Sequence, residues 1–292
     1  MIMNKFLLKI GCAALWFFCL FMGIYVLTHY KTMKTNIYAE NGVFVWGDSQ
    51  MFQGLDDSLL GKELGKRILS SAEHGSGIYD FLVCEKCIPN NALCIFAFPE
   101  GALLRNPLLD YNRKRLDFSC LKILLKASCP LDNCWQIIKL NLRSVSYPLF
   151  SESHSLFSYS DIIVYPEPLS GFCGMFSEKK DYFEWKAKSY EMGLQDLYDK
   201  HNQIILIQFP FEQQVENCAR NSINRHLTDS LKFELVEKYA LKYDSIVLHS
   251  DSLLMHDLSH MNEVGARMLT YQIADILRKD TINNRFFTVV IK

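Results

Sequence analysis

The sequence lacks an excess of charge of either sign. Its 292 residues include 31 basic and 32 acidic side chains, and no stripe of lysine and arginine alternates with aromatic residues. Such a chain has no electrostatic footprint for a polyanion, which argues against nucleic acid as a partner. Nearly half of the residues are apolar, so the chain can bury the core of one large globular domain.

The sequence also lacks a complete set of metal ligands. Cys84 and Cys87 in "CEKC" have the spacing of half a zinc site or of a redox pair, but no second Cys-x-x-Cys follows. We therefore expect buried or disulfide-bonded cysteines there, with no metal and no cofactor. Cys129 and Cys134 in "CPLDNC" could close a small disulfide loop outside the cytoplasm, although the spacing does not define the pairing.

Charge is absent from one long apolar run near the N-terminus, residues 10–28. A run of about 20 apolar residues is long enough to cross a bilayer as a helix, and we interpret it as a membrane anchor. Bulky side chains continue to its end, unlike a cleaved signal peptide, which is the alternative. Lys5 and Lys9 before the run and Lys31 and Lys34 after it slightly favour an inside N-terminus and an extracytoplasmic or periplasmic domain.

Beyond the anchor, short apolar runs alternate with helical patterns, which predicts an α/β domain with a mostly parallel sheet. About a hundred residues separate the third and fourth runs, which is longer than one crossover needs, so we expect a partly helical insertion. The predicted strands are 43–46, 68–71, 93–98, 204–209 and 245–248. The predicted organisation is a flank 1–9, an anchor 10–28, a linker 29–42, a domain 43–279 with an insertion at about 106–202, and a tail 280–292.

The first strand runs directly into Ser49 in "VFVWGDSQ", and the last strand is followed by Asp257 and His260 in "HDLSHMN". Because the carboxyl ends of parallel strands meet at one edge of a sheet, these residues converge there. Asp257 and His260 are three residues apart at the mouth of the last helix, so the carboxylate can orient the imidazole toward a nucleophile.

The blocks "GDSQ" and "DLSHMN" resemble those of the SGNH, or GDSL-type, hydrolase superfamily. The resemblance implies a three-layer α/β/α fold with a mostly parallel, five-stranded, flavodoxin-like sheet. It also implies that Ser49 is the nucleophile, His260 its general base and Asp257 the residue that fixes the imidazole tautomer.

The same resemblance implies an oxyanion hole made by the backbone N–H groups of Ser49 and of Gly75 or Gly77. The third block of the family usually supplies a glycine and an asparagine. Here the third strand ends in "FPEGALLRN", and Asn106 is a distant substitute.

The implied activity is acyl transfer through a seryl ester, on O-acetyl groups of cell-surface carbohydrate or on a small ester. The resemblance leaves an esterase and an O-acyltransferase open, and the anchored layout implies a membrane acyltransferase as a partner. A non-catalytic module that binds a glycan or an assembly partner on an SGNH-like fold is the alternative from another class.

The uncharged run at residues 10–28 generates the first prediction. The full chain should fractionate with membranes, and deletion of residues 1–30 should yield a soluble folded domain, because the deleted residues contain the apolar run. Fractionation followed by mass measurement tests both statements. Full-length chain of unprocessed mass in the soluble fraction would contradict the anchor.

Overall fold

The computed structural model describes residues 11–13, 15–20, 22–23, 42–106, 117–142, 151–152, 169–177, 181–239, 246–248, 254–279 and 289–291. The chain divides into two compact units, Met1–Glu40 and Asn41–Lys292. The boundary between the units lies inside the predicted linker.

In the first unit, the described residues are helical and their large apolar side chains are exposed. Within the ranges that the structure describes, no helix is both long and apolar enough to cross a membrane. The predicted anchor lies partly outside those ranges, which omit residues 10, 14, 21 and 24–28. The anchor therefore stays a prediction.

Four parallel strands form the centre of the second unit. Val43 of the first strand lies opposite both Ile68 and Leu93, so the first strand is paired on both sides. The strands are β1 (Gly42–Trp46), β2 (Arg67–Ser70), β3 (Leu93–Ala97) and β5 (Gln203–Ile207), in the spatial order β2, β1, β3, β5. The short strand β4 (Ser151–Glu152) adds to β2 in the antiparallel direction.

The first four predicted strands are confirmed, with bounds that differ by at most two residues. The prediction that 245–248 completes this sheet is wrong. That segment forms β6 (Ile246–Leu248), which pairs in parallel with β7 (Val289–Ile291) in a separate two-stranded sheet. An apolar run indicates an extended segment, but it does not specify the partner strand.

Helices connect these strands, and several of the described helices lie in the long segment between β3 and β5. The predicted insertion is helical in part, and its last helix leads back into β5. The helices are α1 (Ser49–Gly54), α2 (Asp57–Leu64), α3 (Ile78–Glu85), α4 (Glu100–Leu104), α5 (Phe118–Lys126), α6 (Leu131–Leu142), α7 (Leu169–Ser177), α8 (Phe183–Asp199), α9 (Gln213–Ala219), α10 (Ile223–Tyr239) and α11 (Glu263–Lys279).

One face of the sheet packs against α1, α2 and α11. Alternate residues of a strand point to the same face, so Val43 and Val45 of β1 share one side of the sheet. They belong to a buried cluster with Met51 of α1, Leu60 of α2 and Leu269 of α11. This packing holds α1 and α11, which flank the candidate site, against the same strands.

The opposite face packs against α3 and α8 through aromatic side chains. Trp46 of β1 lies 5.0 Å from Phe81 of α3, and Phe81 lies 4.5 Å from Tyr190 of α8, between ring centroids. Each such pair contributes about 0.5–1.5 kcal/mol beyond the burial of its apolar area. With helices on both faces of a mainly parallel sheet, the predicted α/β class is confirmed.

The close contact of α8 with α3 generates the second prediction. A Cβ atom at Gly193 would lie 2.5 Å from the ring of Phe81, so Gly193→Ala should lower the free energy of unfolding by about 1–3 kcal/mol. Urea unfolding followed by circular dichroism measures this loss. Gly171→Ala in α7 is the matched control, because open space surrounds that position and alanine favours a helix. Equal stability of wild type and Gly193→Ala would contradict the prediction.

Candidate active site

The turn from β1 into α1 presents Ser49. A Cβ atom at Gly47 would lie 2.3 Å from the Cβ of Met51, so a larger residue does not fit there. Asp48 caps α1, because its Oδ1 accepts a hydrogen bond from the Gln50 amide at 3.0 Å. Ser49 is therefore the first residue of α1, and its side chain is half-buried.

Asp257 and His260 lie in the loop that leads into α11, which begins at Glu263. The Asp257 Oδ1 atom accepts hydrogen bonds from the amides of Ser259 at 2.7 Å and of His260 at 2.9 Å. The carbonyl of His260 accepts from the His256 amide at 2.7 Å. The Asp257 carboxylate thus stabilises the turn that carries the His260 imidazole.

The structure brings the three predicted catalytic side chains together. The Nε2 atom of His260 lies 2.9 Å from the Oγ atom of Ser49, although 211 residues separate them in the chain. The Nδ1 atom of His260 lies 2.7 Å from the Oδ2 atom of Asp257. Because an ionised carboxylate only accepts hydrogen bonds, it favours the proton on Nδ1 and leaves Nε2 as the acceptor for the Ser49 hydroxyl.

Asp257 is held in its charged form. Burial alone would raise the pKa of its carboxyl, but the hydrogen bond and charge of His260 and the amides of Ser259 and His260 lower the pKa to about 2. A carboxylate that stays ionised near neutral pH stabilises the imidazolium that forms when His260 takes a proton.

Gln50 connects the helix of Ser49 to the loop of His260. Its Nε2 atom donates to the Ser259 carbonyl at 3.0 Å, across 209 residues of sequence. Since Ser259 lies between Asp257 and His260, this buried bond positions the loop relative to α1. Sequence reasoning missed this role, because the position of Gln50 beside Ser49 carried no sign of its distant acceptor.

The loop after β2 passes beside the Ser49 turn. The Glu73 amide donates to the Gly47 carbonyl at 3.2 Å. Gly75 has a φ of +74°, in the left-handed region where glycine is favoured. Within the described part of the chain, the amides of Ser49 and Gly75 donate to no other group, which leaves both as candidate oxyanion donors.

The two other candidate oxyanion residues are placed differently. The Gly77 amide donates to the Oδ2 atom of Asp80 at 3.1 Å, at the start of α3, so it is already engaged. Asn106 is exposed beyond the end of α4. Asn106 takes no part in the hydrogen bonds of Ser49, Asp257 and His260.

His74 of the same loop lies beside His260. Its ring centroid is 6.4 Å from that of His260 and 5.0 Å from that of Phe52, one turn beyond Ser49 in α1. His74 is exposed, so an aromatic surface borders His260. Sequence reasoning found no partner for His74, because the partners come from other segments.

A buried glutamate, Glu100, follows β3 and Pro99. Glu100 accepts hydrogen bonds from Gln208 at 3.1 Å, Arg225 at 2.6 Å and Thr228 at 2.7 Å. Arg225 also forms an ion pair with Glu216. This network connects the ends of β3 and β5 to α9 and α10. Glu100 lies 108, 125 and 128 residues from its three partners, so sequence spacing did not group it with them.

Cys84, in the last turn of α3, and Cys87, just after that helix, are buried thiols. The Sγ atom of Cys84 lies 3.0 Å from the Oγ atom of Ser71. Among the residues that the structure describes, no group of three or more His, Cys, Asp or Glu side chains is placed to hold a metal ion.

The disulfide lies elsewhere than the sequence spacing suggested. Cys129 and Cys134 are buried thiols, so the loop disulfide considered for them is not formed. The bond joins Cys173 of α7 to Cys218 of α9. Spacing along the chain did not indicate this pair, because the two cysteines are 45 residues apart and meet only through the fold.

No protein-family model matches this chain, and a search of curated proteins finds no match.

The lowered pKa of Asp257 generates the third prediction. The pKa is about 2 in the folded chain against an ordinary value of 3.8, so the unfolded state binds this proton more tightly. The stabilisation is complete above the unfolded value and is lost as the pH falls toward the folded value. The free energy of unfolding should therefore fall more steeply with decreasing pH for wild type than for Asp257→Asn, which has no proton to gain there.

Urea unfolding at a series of pH values, from about pH 5 to about pH 2, measures this difference. A gap between the two proteins that stays constant across the series would show that the carboxylate gains nothing from its partners.

Proposed function

We propose that this chain is a serine-dependent acyl-transfer enzyme of the SGNH type, with an acyl-serine intermediate on Ser49. The observation that carries the proposal is the hydrogen-bonded chain from Ser49 through His260 to Asp257. A serine that only begins a helix has no need of an imidazole at 2.9 Å. It also has no need of a carboxylate that orients that imidazole from the other side.

The first half-reaction forms the acyl-enzyme. The Ser49 Oγ atom attacks the acyl carbonyl carbon while its proton passes to the Nε2 atom of His260, and the carbonyl electrons move onto the oxygen. Asp257 holds the Nδ1 proton and stabilises the imidazolium. The bond to the leaving alcohol then breaks, and the alcohol leaves with the proton from Nε2.

The second half-reaction resolves the seryl ester. His260 takes a proton from the acceptor, which attacks the acyl carbon, and returns that proton to the Ser49 oxygen when the ester bond breaks. Water as the acceptor makes the protein an esterase, whereas a sugar hydroxyl makes it an O-acyltransferase. Both outcomes use the same three side chains.

The negative oxygen of each tetrahedral intermediate requires donors. The Ser49 and Gly75 amides are our candidates, because neither is engaged with another described group and the Gly75 loop is bonded to the Ser49 turn. Gly77 and Asn106 are less suitable candidates for the reasons given above. Preorganised amides of this kind stabilise charge that appears only during the reaction.

The proposed substrate is an O-acetylated carbohydrate of the cell surface, presented to an extracytoplasmic domain. The near-neutral chain suits an uncharged substrate, and His74 and Phe52 provide an aromatic border on which a sugar ring can pack. The Cys173–Cys218 disulfide is typical of an oxidising compartment. A membrane acyltransferase as partner is part of the same proposal.

We also propose that the fold is the three-layer α/β/α fold of the SGNH type. The parallel order β2, β1, β3, β5 supports this assignment, as do the helices on both faces of the sheet. The separate pairing of β6 with β7 is a departure from a five-stranded parallel sheet.

The catalytic assignment generates the fourth prediction. Ser49→Ala should abolish covalent labelling by a fluorophosphonate probe and lower turnover of an aryl acetate by at least about 10³-fold. His260→Ala should cost nearly as much. Asp257→Ala should retain about 10-fold to 100-fold more activity than Ser49→Ala, because the aspartate orients the base without touching the substrate.

His256→Ala is the matched control, since its exposed side chain is adjacent to Asp257 but outside the three-residue set. Circular dichroism confirms that each variant is folded, and an acetylated oligosaccharide tests the substrate class. Folded Ser49→Ala with wild-type turnover would favour the non-catalytic binding module.

A further inference from the structure

Arg105 joins the end of α4 to the loop after β2. Its Nη2 atom donates to the carbonyl of Gly75 at 3.2 Å and to that of Ser76 at 3.3 Å. Two successive carbonyl groups thus point toward one guanidinium. These bonds hold the two peptide planes that follow Gly75. The Gly75 amide lies in the preceding plane and is linked to them through the φ of Gly75, which is +74°.

Arg105 is itself firmly held. The Nζ atom of Lys186 in α8 donates to the Arg105 carbonyl at 2.9 Å and to the Ala102 carbonyl at 2.7 Å, and the Lys186 side chain is fully buried. The Tyr182 hydroxyl donates to the Leu104 carbonyl at 2.7 Å. A cation and a hydroxyl at the carbonyl end of a helix stabilise that end, so α4 is a firm support for the arginine.

The charge of Arg105 also acts on the residue before Ser49. Burial raises the pKa of Asp48, and the positive charge of Arg105 is the strongest of the influences that oppose this rise. The Asp48 Oδ2 atom faces Gly101 of α4, at 3.5 Å from where a Cβ would stand. Arg105 therefore lies between the helix after β3, the loop after β2 and the turn that carries Ser49.

We propose that Arg105 is a positioning residue that aims the Gly75 amide at the oxyanion, in place of the asparagine that the segment after β3 lacks. This inference rests on the proposed acyl transfer at Ser49. Arg105 does not touch the substrate. It acts through the Gly75 and Ser76 carbonyls, and its effect appears when negative charge develops on the substrate oxygen.

Arg105→Met, made in the full-length chain, removes the donors and keeps a long apolar stem. The turnover number kcat for an aryl acetate should fall about 10-fold to 100-fold with little change in KM, because the oxyanion exists only after binding. Arg105→Lys should recover part of the loss, since an ammonium can donate to both carbonyls. Unchanged kcat in Arg105→Met would overturn the proposal.

A second pair of variants separates positioning from charge balance. Asp48→Asn keeps the helix cap, because asparagine caps as well as aspartate, and removes the buried charge near Arg105. If Arg105 only balanced that charge, Arg105→Met combined with Asp48→Asn would regain the kcat of Asp48→Asn alone, which would overturn the proposal. We expect the double variant to stay as impaired as Arg105→Met.

A readout that does not depend on activity completes the test. In a glycine-labelled full-length chain, the Gly75 amide resonance is assigned by its loss in Gly75→Ala. In Arg105→Met the Gly75 amide resonance should shift, and its proton should exchange faster with solvent. The Gly171 amide resonance serves as the unaffected reference. A Gly75 resonance that is identical in wild type and Arg105→Met would overturn the proposal. An inactive, unlabelled wild type would instead disprove the acyl transfer at Ser49, so the two failures are distinguishable.

Discussion

The parallel pairing of β1 with both β2 and β3 is the constraint on which the candidate site depends. It brings three strand ends to one edge of the sheet, and the ladder continues into the loops, because the Ser71 amide donates to the Val45 carbonyl at 2.8 Å. The Glu73 amide then bonds to Gly47. The loop of Gly75 is therefore aligned beside Ser49 by backbone hydrogen bonds, before any side chain contributes.

Buried polar side chains complete what the backbone begins. Glu100 and Lys186 are each at most 2% exposed, and each binds groups from a different part of the chain. Breaking such a buried arrangement by removing one partner is costly, because the remaining polar group is left without compensation. These buried hydrogen bonds therefore hold the edge of the sheet near Ser49 in place. Removal of one partner would lower the free energy of unfolding by more than the intact bond contributes.

The sequence predicted those parts of the structure that depend on residues close together in the chain, such as an apolar run or a short spacing. The apolar run of β1 that leads to Ser49 and the spacing of Asp257 from His260 are short-range signals, and both lead to residues that the structure brings together. The acceptor of Gln50 lies 209 residues away, and the carbonyls bound by Arg105 belong to another loop. The sequence around each residue therefore did not predict its role. The same reason explains β6: its apolar residues predicted a strand, whereas its partner β7 lies beyond α11.

The disulfide between Cys173 and Cys218 joins the insertion to the segment after β5. A closed loop of 45 residues lowers the conformational entropy of the unfolded chain, which corresponds to about 4 kcal/mol in the chain-entropy account. That is a large share of the roughly 5–15 kcal/mol by which a typical domain is stable. The stability of this chain therefore depends on the oxidation state of these two cysteines. Protein made in a reducing cytosol has a much smaller free energy of unfolding than protein in which the disulfide has formed.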